Sequence, residues 1–509
     1  MADDLAPAPL TRTEPVPTGD GPVRGYLEDG LQVFKGVRYG APPVGALRFK
    51  PPQRPAPWAQ PVDTTAYGAP AIQSGLGPGE RRVSPGDPPA PDEPASSEDC
   101  LFLNVWTPGL DRAARPVMVW LHGGGFANGS GGAAMYDGGA LARKGDVVTV
   151  TVNHRLNAFG YLHLAEVFGP DYAQSGMAGM LDIVQALEWV RDNAAAFGGD
   201  PANVTIFGES GGGWKVSLLM AMPSAKGLFH RAVIQSGPGL SGKPVAEADQ
   251  TARALLAALG VDSAEALADL PTEVLSRASV AIPGEAMRFY TPVVDGVALP
   301  RDPFTPDASP LCADIPVLIG TNKDENTLFM IGHPKFGEFT EEDLAKHAAT
   351  GAGKNADALV SALREAHPDY SPTHLACAVG TATGMWAGSI TLAERKAAQA
   401  APVWMYMLTW ETPVSRGRLR CPHALEIPLV FDNVERARNF VGRGEEPQHV
   451  ADQMSAAWLA FARTGDPNTP ALPAWPAYDT GRRATMIFDL ESQVVDDPDA
   501  GVRQVLQAV

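Results

Sequence analysis

Residues 203–212 read NVTIFGESGG, and this stretch decides the fold of the 509-residue chain. Its first five residues are typical of a buried strand, and the following run Trp214–Met222 is compatible with a helix. The G-x-S-x-G pattern between them predicts a sharp strand-to-helix turn that presents Ser210 above the sheet as a nucleophile. Glycine is expected at 208 and 212, because side chains there would collide across the turn. The alternative interpretation is a tight turn whose serine has no chemical role.

A second glycine-rich motif, HGGGF at 122–126, directly follows the apolar run PVMVWL. Three glycines at the carboxyl end of a strand allow backbone N–H groups to point at a ligand, as in the oxyanion loops of esterases. We predict that the amides of Gly124 and Gly125, together with that of Gly211, bind a tetrahedral oxyanion. The histidine of the motif is interpreted as a brace for the loop. The competing interpretation of the motif is a flexible glycine turn.

Apolar runs on both sides of these motifs predict further strands. The clearest are Pro116–Leu121, Val147–Val152, Asn203–Phe207, Ala232–Gln235, Ile315–Gly320 and Val403–Thr409. Continuous apolar strands are buried on both faces, and apolar residues recur at helical spacing between two of them, at Met180–Asn193. Strands that alternate with helices predict an α/β fold with a doubly wound, mostly parallel central sheet flanked by helices.

We assign residues 1–509 to one catalytic domain with two irregular regions. The segment Ser74–Ser97 is too rich in glycine and proline for a long helix or a central strand. It is predicted to be a long loop that either covers the site or is simply exposed on the surface. The segment from about 330 to 400 is mostly helical in pattern and predicts an insertion packed over the site.

The composition excludes several classes of protein. A formal net charge of −18 would repel a phosphate backbone and an anionic membrane surface, so no nucleic-acid or membrane partner is expected. The acidic, proline-containing start lacks the pattern of an export signal, and no run of eighteen apolar residues follows. The four cysteines are widely spaced without a CxxC pair, so neither a disulfide framework nor a metal site is predicted. These features favour a cytoplasmic protein and leave the oligomeric state undetermined.

Three further segments give the chain a specific resemblance. They read SEDCLFLN at 97–104, FGGDPANVT at 197–205 and GTNKDE at 320–325. With these segments and the serine turn, the chain resembles the type-B carboxylesterases from about Gly36 to about Tyr478. This family includes cholinesterases and bacterial para-nitrobenzyl esterases. The resemblance implies an α/β-hydrolase fold and serine-dependent hydrolysis of carboxylic esters, a reaction that requires no cofactor.

The resemblance also places the other members of a catalytic triad. It implies that Glu325 of GTNKDE is the acid, in preference to its neighbour Asp324, while Asp295 is interpreted as a turn residue. It selects His423, in the segment CPHALEIP, as the base among ten histidines. The order serine, acid, histidine is the one found on this fold. In the implied mechanism His423 accepts the Ser210 proton, Glu325 orients the imidazole, and an acyl-serine forms and is hydrolysed.

Four more residues have expected roles, one from its place beside the serine and three through the resemblance. Glu209, beside the nucleophile, is expected either to tune the site or to join a buried hydrogen-bond network. Ser236 resembles a family position near the triad acid. Arg48 and Glu98 resemble an ion pair that anchors the N-terminal loop.

The chain departs from the family pattern at three positions. Gly211 stands where alanine is commoner, which is expected to keep the amide and to loosen the turn slightly. Trp214 replaces a small residue and is interpreted as filling space behind the turn, with narrowing of the acyl pocket as the alternative. Cys100 matches a cysteine that is disulfide-bonded in secreted relatives, but the partner position near Ala71 has no cysteine, which fits a reducing compartment.

The leading functional hypothesis is a carboxylesterase for short-chain or aryl esters, whose expected partner is a small ester molecule. A hydrolase of the same fold for carbamates, amides or one particular polyester or toxin ester is an alternative, because pocket shape decides among these substrates. A non-catalytic, cholinesterase-like binding protein is a remote alternative, and the complete triad argues against it. The resemblance implies that the aromatic rings that bind choline in cholinesterases would come from the region of the glycine- and proline-rich loop. This loop has no such rings, so a quaternary ammonium substrate is disfavoured.

Overall fold

A large twisted sheet organises the part of the chain that the structure describes. The structure is a computed structural model, and it describes residues 10–78, 80, 90–282 and 290–508. Within these residues the strands are β1 Val23–Arg24, β2 Tyr26–Glu28, β3 Leu31–Arg38, β4 Val62–Asp63, β5 Phe102–Thr107, β6 Arg115–Leu121, β7 Val148–Val152, β8 Gly199–Glu209, β9 Arg231–Gln235, β10 Val317–Asn322, β11 Val403–Leu408, β12 Ala484–Phe488 and β13 Gln493–Asp496. Eleven of these described strands form the main sheet, in the order β13-β12-β11-β10-β9-β8-β6-β7-β5-β3-β2, and β1 pairs separately with β4.

The centre of the sheet is parallel and consists of the strands that the sequence predicts. The six predicted strands are β6 to β11, and they lie next to one another in the order β11-β10-β9-β8-β6-β7. Every pairing among them is parallel, which confirms the predicted fold class. Among the described strands, antiparallel pairs occur toward the two ends, where β5, β3 and β2 extend one side and β13 extends the other.

Successive side chains of a central strand enter two different hydrophobic cores. On β6, Val117, Val119 and Leu121 belong to one core, and Met118 and Trp120 belong to the other. All five side chains are fully buried. Because side chains of a strand alternate between the two faces, a sheet that is covered on both faces needs apolar residues at every position. This double burial explains why the strand reads as a continuous apolar run.

Helices cover both faces of the sheet and connect its strands. Among the described residues the α-helices are α1 Gly139–Gly145, α2 Asn157–Tyr161, α3 Ala165–Phe168, α4 Ala178–Asn193, α5 Gly211–Leu219, α6 Val245–Leu259, α7 Ala264–Ala268, α8 Thr272–Ala281, α9 Asn326–Met330, α10 Glu341–Ala352, α11 Ala356–Ala366, α12 Pro372–Thr381, α13 Ala387–Ala397, α14 Glu426–Val430, α15 Arg438–Val441, α16 Glu445–Thr464 and α17 Ala500–Gln507. Helices α4 and α5 contribute to the core that contains Val119, and α16 contributes Trp458 to the core that contains Trp120.

The predicted helical region near 340–399 consists of α10 to α13. Helix α12 contacts α9, and α13 packs against β10 and β11. By length and composition alone, the continuous helical stretch Pro372–Ala397 could cross a membrane, with a mean hydropathy of 1.3 over an 18-residue window. However, 61% of that window is buried inside the protein, as is typical of a core helix.

The segment Ser74–Ser97 contains neither a helix nor a strand in its described residues, in agreement with the predicted long loop. Residues 79 and 81–89 of this segment lie outside the described residues.

A buried ion pair anchors the N-terminal loop, as the family resemblance implies. Arg48 donates to both carboxylate oxygens of Glu98, from Nε at 2.8 Å and from Nη2 at 2.5 Å. It also donates to the backbone carbonyl oxygens of Ala268 and Leu270, each at 2.8 Å. Bidentate pairs of this kind combine charge with a fixed geometry. The pair therefore ties the loop to the segment after α7, which confirms its structural role.

All four cysteines are free and buried. Cys100 and Ala71 line the same small pocket, so the two positions that the resemblance pairs are neighbours, with a cysteine at only one of them.

Candidate active site

Ser210 occupies the turn between β8 and α5, with backbone angles φ 55° and ψ −121°. A residue with a side chain seldom adopts such a φ, so the surrounding structure must hold the turn in this strained conformation. A Cβ on Gly208 would lie 2.6 Å from the backbone carbon of Gly212, and a Cβ on Gly212 would overlap the carbonyl oxygen of Leu121. The predicted need for glycine at both positions is thereby confirmed. We call residues 208–212 the nucleophile elbow.

The loop 122–126, which we call the oxyanion loop, leaves its central amides free. Gly124 and Gly125 have φ values of 78° and 63°, and within the described residues their N–H groups donate no hydrogen bond. The amides of Ala127 and Asn128 both donate to the Gly124 carbonyl, at 3.3 and 3.1 Å, and so fix the conformation of the loop. Two free, preorganised backbone donors are what an oxyanion requires.

His122 braces the oxyanion loop. Its Nδ1 lies 2.9 Å from the carbonyl oxygen of Gly123, and its ring stacks on that of His154 with the centroids 4.7 Å apart. Burial lowers the pKa of both imidazoles well below the ordinary value, and the nearby Lys215 lowers it further. Both rings are therefore neutral at physiological pH and pack as flat, polar supports.

Gly211, the third predicted donor, touches the oxyanion loop backbone to backbone. A Cβ at this position would lie 2.5 Å from both the nitrogen and the Cα of Gly125 and would overlap the carbonyl oxygen of that residue. Sequence analysis expects glycine here merely to loosen the turn. The structure gives a different reason: glycine permits the close approach of the elbow and the loop.

His423 and Glu325 come together although 98 residues separate them. The Nδ1 atom of His423 lies 2.6 Å from Oε2 of Glu325. Glu325 is fully buried after β10, and its Oε1 accepts the backbone N–H of Asn322 at 2.8 Å. The backbone N–H of His423 also donates to the Glu325 carbonyl oxygen, at 3.3 Å. The carboxylate is thus fixed by main chain and orients the imidazole.

The two alternative acids, Asp324 and Asp295, form hydrogen bonds with groups other than His423. Asp324 accepts the hydroxyl of Tyr370 at 2.6 Å and the backbone N–H of Cys421 at 3.3 Å. Asp295 accepts the backbone N–H groups of Val297 and Leu299, each at 2.9 Å, as a turn residue does.

The other side of the imidazole faces a second carboxylate. The Nε2 atom of His423 lies 2.9 Å from Oε1 of Glu209. The Ser210 hydroxyl forms no hydrogen bond with any described residue, and the contact between the elbow and His423 is made by the neighbouring Glu209. Of the two roles expected for Glu209, the structure favours the first, because its carboxylate contacts the predicted base directly.

The two flanking carboxylates determine the direction in which the pKa of His423 shifts. Burial alone would lower its pKa, but the carboxylates of Glu209 and Glu325 outweigh burial and raise the pKa well above the ordinary histidine value. A third buried acid, Glu426, accepts the Nδ2 amide of Asn322 at 2.6 Å. Burial, and then the charges of Glu209 and Glu325, raise the pKa of Glu426 to about 8. Glu426 is therefore mostly protonated at neutral pH, which limits the negative charge around the imidazole.

One buried cation also belongs to the site. Lys215, on α5, is fully buried and donates from Nζ to the carbonyl oxygens of His122 and Gly125, each at 2.9 Å. Its Nζ also lies 5.3 Å from the centre of the Phe126 ring. Burial lowers its pKa to about 7, although the charge of Glu209 opposes this shift.

The remaining predicted residues lie around the elbow. Ser236 follows β9 with φ 49°, and its buried hydroxyl has no hydrogen-bond partner among the described residues. Trp214 is half-buried, packs edge-on against Phe126 with the ring centres 5.2 Å apart, and donates from Nε1 to the Ser241 carbonyl at 3.3 Å. The tryptophan therefore packs against Phe126 of the oxyanion loop, and its predicted role in filling space behind the elbow stays a prediction.

Sequence reasoning missed Lys215, Glu426 and Phe329. Lys215 stands among the apolar residues of α5, and a lysine in an otherwise buried helix is a signal that was present in the sequence. Glu426 lies three residues after His423, within the quoted segment CPHALEIP. Phe329 has no distinguishing pattern around it. In the described part of the chain, no group of three or more His, Cys, Asp or Glu side chains is arranged to hold a metal ion.

The chain is similar in sequence to known proteins over nearly its whole length. The profile of the carboxylesterase family matches residues 12–504. The para-nitrobenzyl esterase of Bacillus subtilis is 36% identical over 505 residues, which cover 96% of this chain and 98% of that protein. The phenmedipham hydrolase of Pseudarthrobacter oxydans is also 36% identical, over 94% of this chain and 95% of its own length.

A solved structure is similar over nearly the whole chain. The crystal structure of a Geobacillus stearothermophilus carboxylesterase superimposes with a TM-score of 0.85 at 40% identity. The alignment covers 97% of this chain and all of the other.

Proposed function

The chain belongs to the carboxylesterase family, and on this premise we propose that it hydrolyses short-chain and aryl carboxylic esters with Ser210 as its nucleophile. That it is a carboxylic ester hydrolase follows from the family match and from the likeness to a solved carboxylesterase. The residue roles and the preferred esters are the proposal.

The observation that supports these roles is the 2.6 Å contact between His423 Nδ1 and Glu325, on an imidazole whose other nitrogen contacts Glu209 of the strained elbow. A carboxylate on Nδ1 keeps the proton there, which leaves Nε2 free to accept the proton of an attacking hydroxyl. In this structure Nε2 contacts Glu209. Proton transfer therefore requires the imidazole to exchange its contact with Glu209 for one with Ser210.

The reaction then proceeds in two balanced steps. Oγ of Ser210 bonds to the ester carbonyl carbon while its proton passes to Nε2 of His423, and the amides of Gly124, Gly125 and Gly211 bind the oxyanion. The carbon–alkoxide bond breaks as Nε2 returns the proton to the leaving alcohol. Water then repeats the sequence on the acyl-serine and releases the carboxylic acid.

Hydrolysis of para-nitrophenyl acetate and butyrate by the protein and by Ser210→Ala tests the nucleophile. We expect the variant to lose at least about a hundredfold in kcat, equivalent to about 3 kcal/mol of activation free energy. Ser224→Ala, at an exposed serine just after α5, is the matched control and should retain the parent rate. A dialkyl para-nitrophenyl phosphate should add its phosphoryl group to Ser210 in the parent, as seen by peptide mass. Equal rates for Ser210→Ala and the parent would disprove the assignment.

An exposed aromatic ring beside the base supports aryl esters as substrates. Phe329, on α9, is 54% exposed, and its ring centre lies 4.9 Å from that of His423. A large apolar side chain exposed next to a catalytic group offers a surface for an apolar part of the substrate. Offset or tilted packing of two aromatic rings contributes about 0.5–1.5 kcal/mol beyond the area that they bury.

Phe329→Leu should therefore affect aryl and alkyl esters of one acid differently. We expect kcat/KM for para-nitrophenyl acetate to fall about three- to tenfold, since one ring–ring contact is lost, while kcat/KM for ethyl acetate stays within about twofold. Steady-state kinetics on both esters measures the ratio, and the alkyl ester serves as the internal control. An equal loss on both esters would mean that Phe329 supports His423 and does not select the alcohol group.

A further inference from the structure

We propose that Lys215 is the positioning residue of the oxyanion hole and that it acts together with Gly211. The side-chain amino group of Lys215 holds the Gly125 carbonyl in the space that an alanine side chain at 211 would fill. This inference rests on the proposed function, because it assumes that the amides of Gly124 and Gly125 bind the oxyanion.

The hydrogen bonds of Lys215 enclose the donor segment. Its Nζ binds the carbonyl oxygen of His122, which precedes the three glycines, and that of Gly125, which ends them. Both distances are 2.9 Å. Each of these carbonyls shares its peptide group with the next amide, that of Gly123 or that of Phe126. Lys215 therefore fixes the two ends of the segment, and the amides of Gly124 and Gly125 lie between these ends. Glycine at 124 and 125 supplies the positive φ that this path requires.

The burial of Lys215 indicates that its position is functional. Its side chain is fully buried, and it forms no ion pair with a described carboxylate. Glu209 is the acid that acts on it electrostatically, and the Phe126 ring is its aromatic neighbour. Burying a charge is unfavourable unless strong partners replace water, and here the partners are two carbonyls of the oxyanion loop. An apolar residue would fill the same volume without that cost.

Gly211 makes the arrangement possible. Its missing Cβ is the space into which the Gly125 backbone moves, and a Cβ there would overlap the carbonyl oxygen that Lys215 binds. The family pattern more often has alanine at this position. Gly211 and Lys215 lie one turn apart on the same helix and act on the same carbonyl, so the two residues form one structural unit.

Lys215 and Gly211 should affect the transition state rather than the bound ester. The oxyanion develops only after attack, so a displaced amide donor lowers kcat and leaves KM nearly unchanged. A trifluoromethyl ketone adds the Ser210 hydroxyl and becomes a tetrahedral oxyanion. Its inhibition constant therefore reports on the donors independently of turnover.

A double-mutant cycle with Lys215→Met, Gly211→Ala and the double variant tests the proposal. We expect each single variant to lose at least about tenfold in kcat for para-nitrophenyl acetate, with KM within about threefold. The inhibition constant of the ketone should rise by the same factor as kcat falls. Because both changes release the same carbonyl, the double variant should be no more than about threefold worse than the poorer single variant.

Lys396→Met is the matched control. Lys396 is also a fully buried lysine whose Nζ donates to a backbone carbonyl, that of Cys312 at 2.8 Å, but it lies on α13 outside the site. Its variant should lose thermal stability without any change in kcat or in ketone binding. If Lys215→Met fails to fold, Lys215→Gln, which can reach only one of the two carbonyls, replaces it in the cycle.

The double-mutant cycle can distinguish failure of this inference from failure of the proposed function. Parent-like kcat and ketone binding in a folded Lys215 variant would overturn the proposal, and so would losses that multiply in the double variant. If the parent itself neither hydrolyses the ester nor binds the ketone, the proposed function fails and not this inference alone.

Discussion

The imidazole of His423 lies between two carboxylates, and this position should govern the pH dependence of the enzyme. As the proposed base, His423 must be neutral to accept the Ser210 proton, so we expect kcat/KM to rise with pH through the pKa of His423. Glu209 and Glu325 raise that pKa well above the ordinary value of 6.5, so the rise should occur above pH 6.5.

Glu209→Gln removes one of the two carboxylates and should lower the pKa of His423, which moves the rise of kcat/KM to lower pH. The profile of kcat/KM against pH for para-nitrophenyl acetate measures the shift. Glu338→Gln, at an exposed acid on the surface, should leave the profile in place. A profile of Glu209→Gln that coincides with that of the parent, or moves to higher pH, would show that Glu209 does not set the charge state of the base.

Single residues differ in how well the sequence reveals them. Ser210 was predictable because the elbow demands glycine at fixed offsets, and the loop glycines because they follow a strand. The contact between Glu209 and His423 was not predictable, because it depends on where a segment more than two hundred residues away folds back. Lys215 escaped because a helical lysine is usually a solvated side chain.

Strands also differ in how well the sequence reveals them. The central strands β6 to β11 are buried on both faces, so each reads as an unbroken apolar run and was predicted within a few residues. The outer strands were missed. Strand β3 carries Lys35 and Arg38, and β13 is a short segment without a fully buried residue. One face of β3 and the whole of β13 are only partly buried, so these two strands need fewer apolar residues than the central ones.

At the scale of the whole molecule, the parallel sheet assembles the site. The ends of β6, β8 and β10 lie at the same edge, and they lead into the oxyanion loop, the elbow and the segment of Glu325. Carboxyl ends of parallel strands meet in this way in every open α/β sheet, so a sequence that reveals strand order in outline also reveals which motifs converge. His423 follows β11 after a longer connection, and its position required the family resemblance.

The strained elbow has a consequence for the stability of the entire fold. A left-handed φ at a residue with a side chain costs about 1–3 kcal/mol, and Ser210 carries this conformation in every folded molecule. Ser210→Gly and Ser210→Ala both remove the hydroxyl, but only glycine relieves the backbone. We expect Ser210→Gly to unfold at a higher urea concentration than Ser210→Ala, by about 1 kcal/mol in free energy of unfolding after allowance for the flexibility of glycine in the unfolded chain.

A Ser210→Gly protein no more stable than Ser210→Ala would show that the elbow is relaxed. If Ser210→Gly is the more stable of the two variants, the backbone conformation that presents the Ser210 hydroxyl is maintained at a cost to the stability of the fold. The elbow would then be a place where the protein gives up stability in exchange for the exposure of one reactive group.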